Sequence, residues 1–446
     1  MQVVLLSGGS GKRLWPLSND ARSKQFLHLL AGPSGEKESM VQRVVRQLKS
    51  TMPAAELTFA TNASQRDCII NQLGEYVNIV AEPERRDTFP AIALAASFLY
   101  NIKCLSEDEV VVVMPCDVYT ELGYFETITR IISSVEKKEA DLVLMGIKPS
   151  YPSQKFGYIV PGDYSEGYTS THVKMFTEKP NSYYAKELLL QGACWNGGVF
   201  VFKLGYILDI VRQYLDSLDY DYVLQNYTSF PKISFDYEVV EKANSVAFVQ
   251  YDGIWKDLGT WNTLCEELPS ASIGNVYLGD HNINTHVVNE LGLPLFCDGL
   301  SDVVVAASPD GIMICSKEQS EGIKDYVAQM ESRPMCEERR WGSYRVLDSA
   351  TYVDGAKSLT KSLTIKSGKG ISYQIHHCRS EVWTIVDGTG EFVLDGKRQI
   401  VSRGDVLNIP VEHYHAIRAI TDLQMIEVQT GNPLIEEDIE RFPWEW

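Results

Sequence analysis

Val3-Val4-Leu5-Leu6 runs straight into Ser7-Gly8-Gly9-Ser10-Gly11-Lys12-Arg13, and Lys24-Gln25 follow at the far end of the same loop. An apolar run that stops at clustered glycines reads as a short strand entering a tight turn. Glycines let the backbone approach a polyphosphate closely and aim N–H groups at it. Arg13 and Lys24 add full charges and hydrogen-bond donors. Together they form an anion cradle at the end of a strand.

The loop is not a P-loop, because Lys12 is followed by Arg13 and not by Ser or Thr. Nor is it a dinucleotide fingerprint, since Leu14 stands where a third glycine is needed. A glycine-rich turn by itself is often only a turn. The whole string GGSGKRLWPLS over 8–18, with SKQFL over 23–27, says more. It resembles the signature of sugar-1-phosphate nucleotidyltransferases, above all the mannose-1-phosphate guanylyltransferases. The resemblance implies that Leu6, Gly8, Gly9, Gly11, Arg13 and Lys24 contact a nucleoside triphosphate. It gives Lys24 the α-phosphate and Arg13 the departing phosphates.

Size and composition bound the answer. At 446 residues, two or three domains are expected. A net charge of -18 argues against nucleic acid or an anionic membrane as partner. Cations must then be gathered locally, with Arg13, Lys24, Arg85, Arg86 and Lys179 as candidates. The nine cysteines are scattered and odd in number, which fits reduced thiols and a cytoplasmic location. No stretch reads as a signal peptide or a membrane span.

Strand-like segments (3–6, 57–60, 77–81, 110–115, 142–147) alternate with helix-like ones (39–48, 91–102). This predicts an α/β fold with a mostly parallel sheet, a Rossmann-like nucleotidyltransferase domain over 1–268. Short β-rich runs at 275–278, 286–289, 303–306 and 311–315 suggest a β-helix-like segment, and 317–331 a helix, so a second division spans 269–331. After a polar linker at 332–340 the chain is β-rich again. Asp387-Gly388-Thr389-Gly390 and Asp395-Gly396-Lys397 read as hairpins. An all-β cupin-like barrel is expected within 332–446.

Asp117 ends an apolar run, and Asp257 lies beside Gly259. Two carboxylates distant in sequence can share one Mg²⁺ and neutralise charge at an attacked phosphorus. An Asp after a strand is more often a cap than a ligand. The resemblance favours the metal. It also implies that Gly157, Glu178, Lys179 and Asn196 hold the sugar phosphate, through Phe-Gly-Tyr-Ile at 156–159, Phe-Thr-Glu-Lys-Pro at 176–180 and Trp-Asn-Gly-Gly at 195–198. Glu82 and Arg86, in Glu-Pro-Glu-Arg-Arg-Asp-Thr, would lie near base and ribose. Asp87 stands where relatives carry Asn, and Val118 where they usually carry His.

Half of the eight histidines fall between His376 and His415. Gln374 and His376 share a strand face. Gln374–Glu381 and the run from Gly404 to His415 resemble the two cupin motifs. Gln374, His376, Glu381 and His415 would suit Zn²⁺ or another divalent ion. Histidines held only by hydrogen bonds are the plain alternative. The region also resembles the isomerase half of bifunctional mannose-6-phosphate isomerase/guanylyltransferases, with Arg379 as a phosphate clamp. Cys378 and Val382 replace two histidines of that pattern.

The leading expectation is transfer of GMP from GTP to mannose 1-phosphate, giving GDP-mannose. The alternatives are the same chemistry with another base or sugar, added or sole mannose-6-phosphate isomerase activity, or a nucleotide-sugar-binding regulator. A homodimer is among the states the resemblance allows.

Overall fold

The computed structural model describes residues 1–9, 11–330, 333–435 and 438–446. Ser10 of the loop, Glu331 of the expected helix and Ser332 of the expected linker lie outside the described residues. The chain forms two compact units. One comprises residues 1–13 and 23–269. The other comprises 14–22 and 270–446.

The first unit is built on a nine-stranded mixed sheet. Gln2–Ser7 lies parallel between Glu56–Asn62 and Val110–Pro115, with Asn78–Glu82 beyond. Cys194–Lys203 then runs antiparallel between Val110–Pro115 and Leu142–Ile147. Parallel pairing therefore holds for the first four strands and again between Leu142–Ile147 and Val246–Tyr251. Tyr158–Pro161 and Thr171–Thr177 add an antiparallel margin. Strand direction depends on the connections, which residue periodicity does not report.

Helices cover both faces, so the sheet is buried on both sides. Met40–Thr51 starts at a capping box between Ser39 and Gln42 and packs Val41, Val44, Val45 and Leu48 inward. Thr88–Asn101 is apolar nearly all round and fills the opposite face with Leu204–Val211.

In the second unit, Ser272–Gly274, His286–Asn289 and Val303–Ser308 stack in parallel, as do Val276–Leu278 and Leu295–Cys297. These are the coils of the expected β-helix-like segment. Residues 14–22 of the glycine-loop string belong here. Arg22 makes a bidentate pair with Glu290 at 2.8 and 3.0 Å, and Asn19 donates to Asp310 at 2.8 Å. The helix expected over 317–331 is shorter, a 3-10 turn at Gln319–Gly322 followed by Ile323–Val327.

The all-β part is a six-stranded and a five-stranded sheet. Trp383, Phe392, Ile417 and Met425 are buried between them. Asp395-Gly396 is a two-residue hairpin turn, with both residues at positive φ and Leu394 opposite Lys397. Asp387-Gly388 is not a hairpin. Arg379–Asp387 pairs in one sheet and Thr389–Leu394 in the other. The chain switches sheets there, and a Cβ on Gly388 would stand 2.0 Å from the Asp422 carbonyl oxygen. Among the described residues no helix is long and apolar enough to cross a membrane.

Candidate active site and metal centre

The carboxyl ends of three of the four strands in the parallel half of the sheet deliver Ser7-Gly8-Gly9, Glu82 and Asp117 to one edge. This is where open α/β sheets bind ligands. A cavity of about 380 Å³ opens there, lined among others by Leu6, Gly8, Gly9, Glu82, Asp117 and Asp236. Buried polar side chains fix the loop from beneath. Ser23 Oγ and Gln65 Nε2 donate to the Gly9 carbonyl at 2.8 and 3.0 Å. Gln25 Nε2 reaches Ser7 Oγ at 3.0 Å. Among the described residues no acceptor meets the N–H groups of Gly8 and Gly9. Gly11 adopts φ 63°, and Arg13 is exposed.

Val118–Thr120 pairs antiparallel with Trp255–Asp257, placing Asp257 opposite Val118. That small ribbon carries Asp257 to Asp117. Lys24 Nζ stands between them, 2.8 Å from Asp117 Oδ2 and 2.8 Å from Asp257 Oδ1. Burial alone would lower the Lys24 pKa, but the two carboxylates hold it above the ordinary lysine value. Burial likewise acts to raise Asp257, and Lys24, with Arg13 and Lys155 farther off, overturns that and lowers it. Two hard oxygen donors on either side of one cation fit a divalent ion such as Mg²⁺.

Beside Asp236 of the cavity lining lies a polar cluster whose groups suit a polyol. Thr177 pairs with Tyr158, which sets Gly157 against Glu178. A Cβ on Gly157 would lie 2.4 Å from Glu178 Oε2 and 2.8 Å from the Phe176 ring, so any larger residue would displace the Glu178 carboxylate. Asn196 Nδ2 donates to Asp236 Oδ1 at 2.6 Å, and Asn196 Oδ1 accepts from the Gly198 N–H at 3.1 Å. Lys179 Nζ is 2.7 Å from Glu178 Oε1. Burial raises the Glu178 carboxyl, and burial followed by the Glu178 charge lifts Asp236 to about 7.

Within the barrel, Gly370–Ile375 brings Gln374 opposite His415, and Arg379–Asp387 turns Arg379, Glu381 and Trp383 inward. His376, Glu381 and His415 each offer one ligand atom, all within 4.8 Å of one another. His376 Nδ1 faces the Asp438 carbonyl at 2.5 Å, and His415 Nδ1 faces the His413 carbonyl at 3.0 Å. A carbonyl only accepts, so both Nδ1 atoms carry the proton and both Nε2 lone pairs point inward. His415 Nε2 is buried without a hydrogen-bond partner. Burial lowers both histidines, His376 to about 4, so both are neutral at pH 7. Gln374 Nε2 lies 3.2 Å from His376 Nε2. Two imidazole nitrogens, a carboxylate and an amide form an N/O set that fits a divalent ion.

Residues 2–271 match the protein family described as nucleotidyl transferase, and 329–443 that described as mannose-6-phosphate isomerase C-terminal. The chain belongs to the nucleotidyl transferase family. It is 31% identical to a mannose-1-phosphate guanylyltransferase of Escherichia coli K12, over 98% of this chain and 97% of the relative. A putative mannose-1-phosphate guanylyltransferase of Vibrio cholerae is 30% identical over 98% of each. The alginate biosynthesis protein AlgA of Pseudomonas aeruginosa is 31% identical over 99% of this chain and 96% of its own. A solved structure from Thermus thermophilus, named mannose-1-phosphate geranyltransferase, is 26% identical, covers 74% of this chain and 99% of its own, and has a TM-score of 0.60.

In this nucleotidyl transferase, two expected residues sit differently from the sequence reading. Arg86 turns away from the cavity, donating to the Phe230 carbonyl at 3.1 Å and pairing with Glu84, while Arg85 lines the cavity. Arg379 is buried, with Nε on Glu381 at 3.0 Å and NH1 on the Ile435 carbonyl at 2.9 Å. Such a guanidinium does not reach out to clamp a phosphate. Three residues escaped the sequence reading. Asp236 sits on the four-residue helix Phe235–Glu238, too short to show a pattern. Glu427 shares the Trp383 Nε1 donor with Glu381 and alternates inward with Met425 and Gln429, and a Glu at a buried alternate position is the available signal. Asp438 reaches His376 through its main chain, which no residue type encodes.

Proposed function

We infer that the first unit transfers GMP from GTP to mannose 1-phosphate, yielding GDP-mannose and pyrophosphate. The carrying observation is the meeting of Lys24, Asp117 and Asp257 beside the glycine loop. An oxygen of the sugar 1-phosphate attacks the α-phosphorus of GTP. The new O–P bond forms as the bond from the α-phosphorus to the bridging oxygen breaks, and pyrophosphate leaves with that electron pair. No covalent enzyme intermediate is required. Asp117 and Asp257 would hold Mg²⁺, which when bound neutralises charge on the phosphate oxygens. Lys24 steadies the α-phosphate and Arg13 the departing phosphates. Gly8, Gly9 and Gly11 seat the triphosphate, Leu6 packs beside the nucleoside, and Glu178, Lys179 and Asn196 hold the sugar phosphate. Rate comes from alignment and charge placement.

Guanine and mannose are supported by the names of the relatives and by Glu82. Its carboxylate lies by Gly8 and accepts from Tyr227 at 2.7 Å. It suits the N1–H and amino donors of guanine, where adenine offers an acceptor. Pyrophosphate release across a panel of triphosphates and sugar 1-phosphates tests this. Release is expected with GTP plus mannose 1-phosphate and Mg²⁺, and no release with that pair would refute it.

A second reading belongs to the barrel. The inward lone pairs of His376 and His415 favour a bound Zn²⁺ or similar ion and, with it, interconversion of mannose 6-phosphate and fructose 6-phosphate. Those two sugars added to the same panel, with metal analysis, test it. In this reading 1–268 carries the transfer, 269–331 connects and 332–446 carries the barrel site. The location is cytoplasmic, in keeping with nine cysteines that form no disulfide with one another. Tyr277 and Phe296, register partners exposed side by side, support a homodimer.

A further inference from the structure

The placement of Lys24 has a consequence for how the ion arrives. Its ammonium makes a 2.8 Å contact with each of two carboxylates, and its side chain is only 18% exposed. Mg²⁺ bound to the same two oxygens would need each of them at about 2.0–2.1 Å. It would therefore occupy the space that Nζ fills. A lysine ammonium and a divalent cation in contact repel strongly in a half-buried site. The two occupancies exclude one another.

We propose that Lys24 is a place-holder for the divalent ion, so that the ion enters this site only together with its nucleotide, and Lys24 moves from the carboxylates to the α-phosphate as it does. This rests on the reading of Asp117 and Asp257 as metal ligands given above. Charge explains the order. Two carboxylates and one ammonium leave one net negative charge. A divalent ion arriving alone turns this into one net positive charge and strands the displaced ammonium. A triphosphate removes both costs by supplying anionic oxygens for ion and ammonium alike. The N–H groups of Gly8 and Gly9, which meet no acceptor among the described residues, and the exposed Arg13 lie ready to hold it. By linkage, whatever weakens the hold of Lys24 on the carboxylates strengthens binding of the lone ion.

Mn²⁺ binding, followed by the electron paramagnetic resonance signal of the free ion, tests the idea on the full chain. Wild type, Lys24→Ala, Lys24→Gln and Asp257→Asn are titrated with and without an α,β-methylene GTP analogue that cannot be cleaved there. Circular dichroism checks each fold. Without nucleotide, both Lys24 variants are expected to bind Mn²⁺ on the order of tenfold more tightly than wild type, since no charge-assisted pair need be broken first. With the analogue that advantage should vanish or reverse. Lone-ion affinity in both Lys24 variants equal to or below wild type would overturn the proposal. Asp257→Asn is expected to lose nucleotide-dependent Mn²⁺ binding. If it kept full binding, the underlying assignment of the ligands would fail instead.

Discussion

Lys24 and Asp257 stand 233 residues apart in the chain and meet with Nζ 2.8 Å from Oδ1. The antiparallel ribbon of Val118–Thr120 and Trp255–Asp257 carries Asp257 to that meeting. Asp257→Asn keeps the shape and removes the charge. Transfer should fall by about 10²–10³, the cost of losing one preorganised electrostatic group. Thermal unfolding should stay near wild type, because the pair is partly solvated. Steady-state pyrophosphate release and a melting curve on the same sample check both halves.

Glu82 is expected to set the base. Burial raises its pKa against the Tyr227 hydrogen bond, which marks a carboxylate short of donors until a ligand brings them. Glu82→Gln replaces that acceptor with an amide. The ratio of kcat/KM for GTP over ATP should drop by roughly ten- to a hundredfold, matching about 1.5–3 kcal/mol for a hydrogen bond to a charged group. An unchanged ratio would move base recognition elsewhere.

Asp236 predicts a pH effect on stability. Its folded pKa is about 7, raised by burial and then by Glu178. An unfolded aspartate titrates near 3.9, so above that value the folded protein keeps a proton the unfolded chain has lost. The benefit is complete below the unfolded pKa and is lost as pH rises through about 7. Asp236→Asn removes this slope. Relative to wild type it should gain on the order of 1 kcal/mol at pH 8 over its value at pH 5. Urea melts at the two pH values measure it.

The barrel site predicts the opposite sign. His376 and His415 have folded pKa values below the ordinary histidine value, His376 at about 4. Their neutrality supports the fold above the unfolded value near 6.5 and is lost as pH falls toward the folded one. Metal uptake at pH 7 should therefore release no proton from these rings. Retention should decline as the pH is lowered toward about 4. Elemental analysis after dialysis across that range follows it, and His415→Ala should be metal-free throughout.

Much of this was legible beforehand, for physical reasons. The glycine loop, Asp117 and Glu178 sit in short strings whose local chemistry is self-contained. The apolar runs at 110–115 and 142–147 match strands residue for residue because burial on both faces leaves no polar position to blur the ends. Arg86 misled because neighbouring arginines look alike in sequence, and only the turn into Thr88–Asn101 decides which one faces the cavity. Gly388 misled because a glycine at a sheet corner and one in a hairpin share the same residue signature. Asp236 was silent because its importance comes from Asn196, forty residues earlier.

The most direct test is a single turnover with GTP labelled at the α-phosphorus, enzyme in excess, Mg²⁺ and mannose 1-phosphate present. The label should pass wholly into GDP-mannose, with none on the protein at any time. Label trapped covalently on the chain, or label left in GTP, would contradict the account.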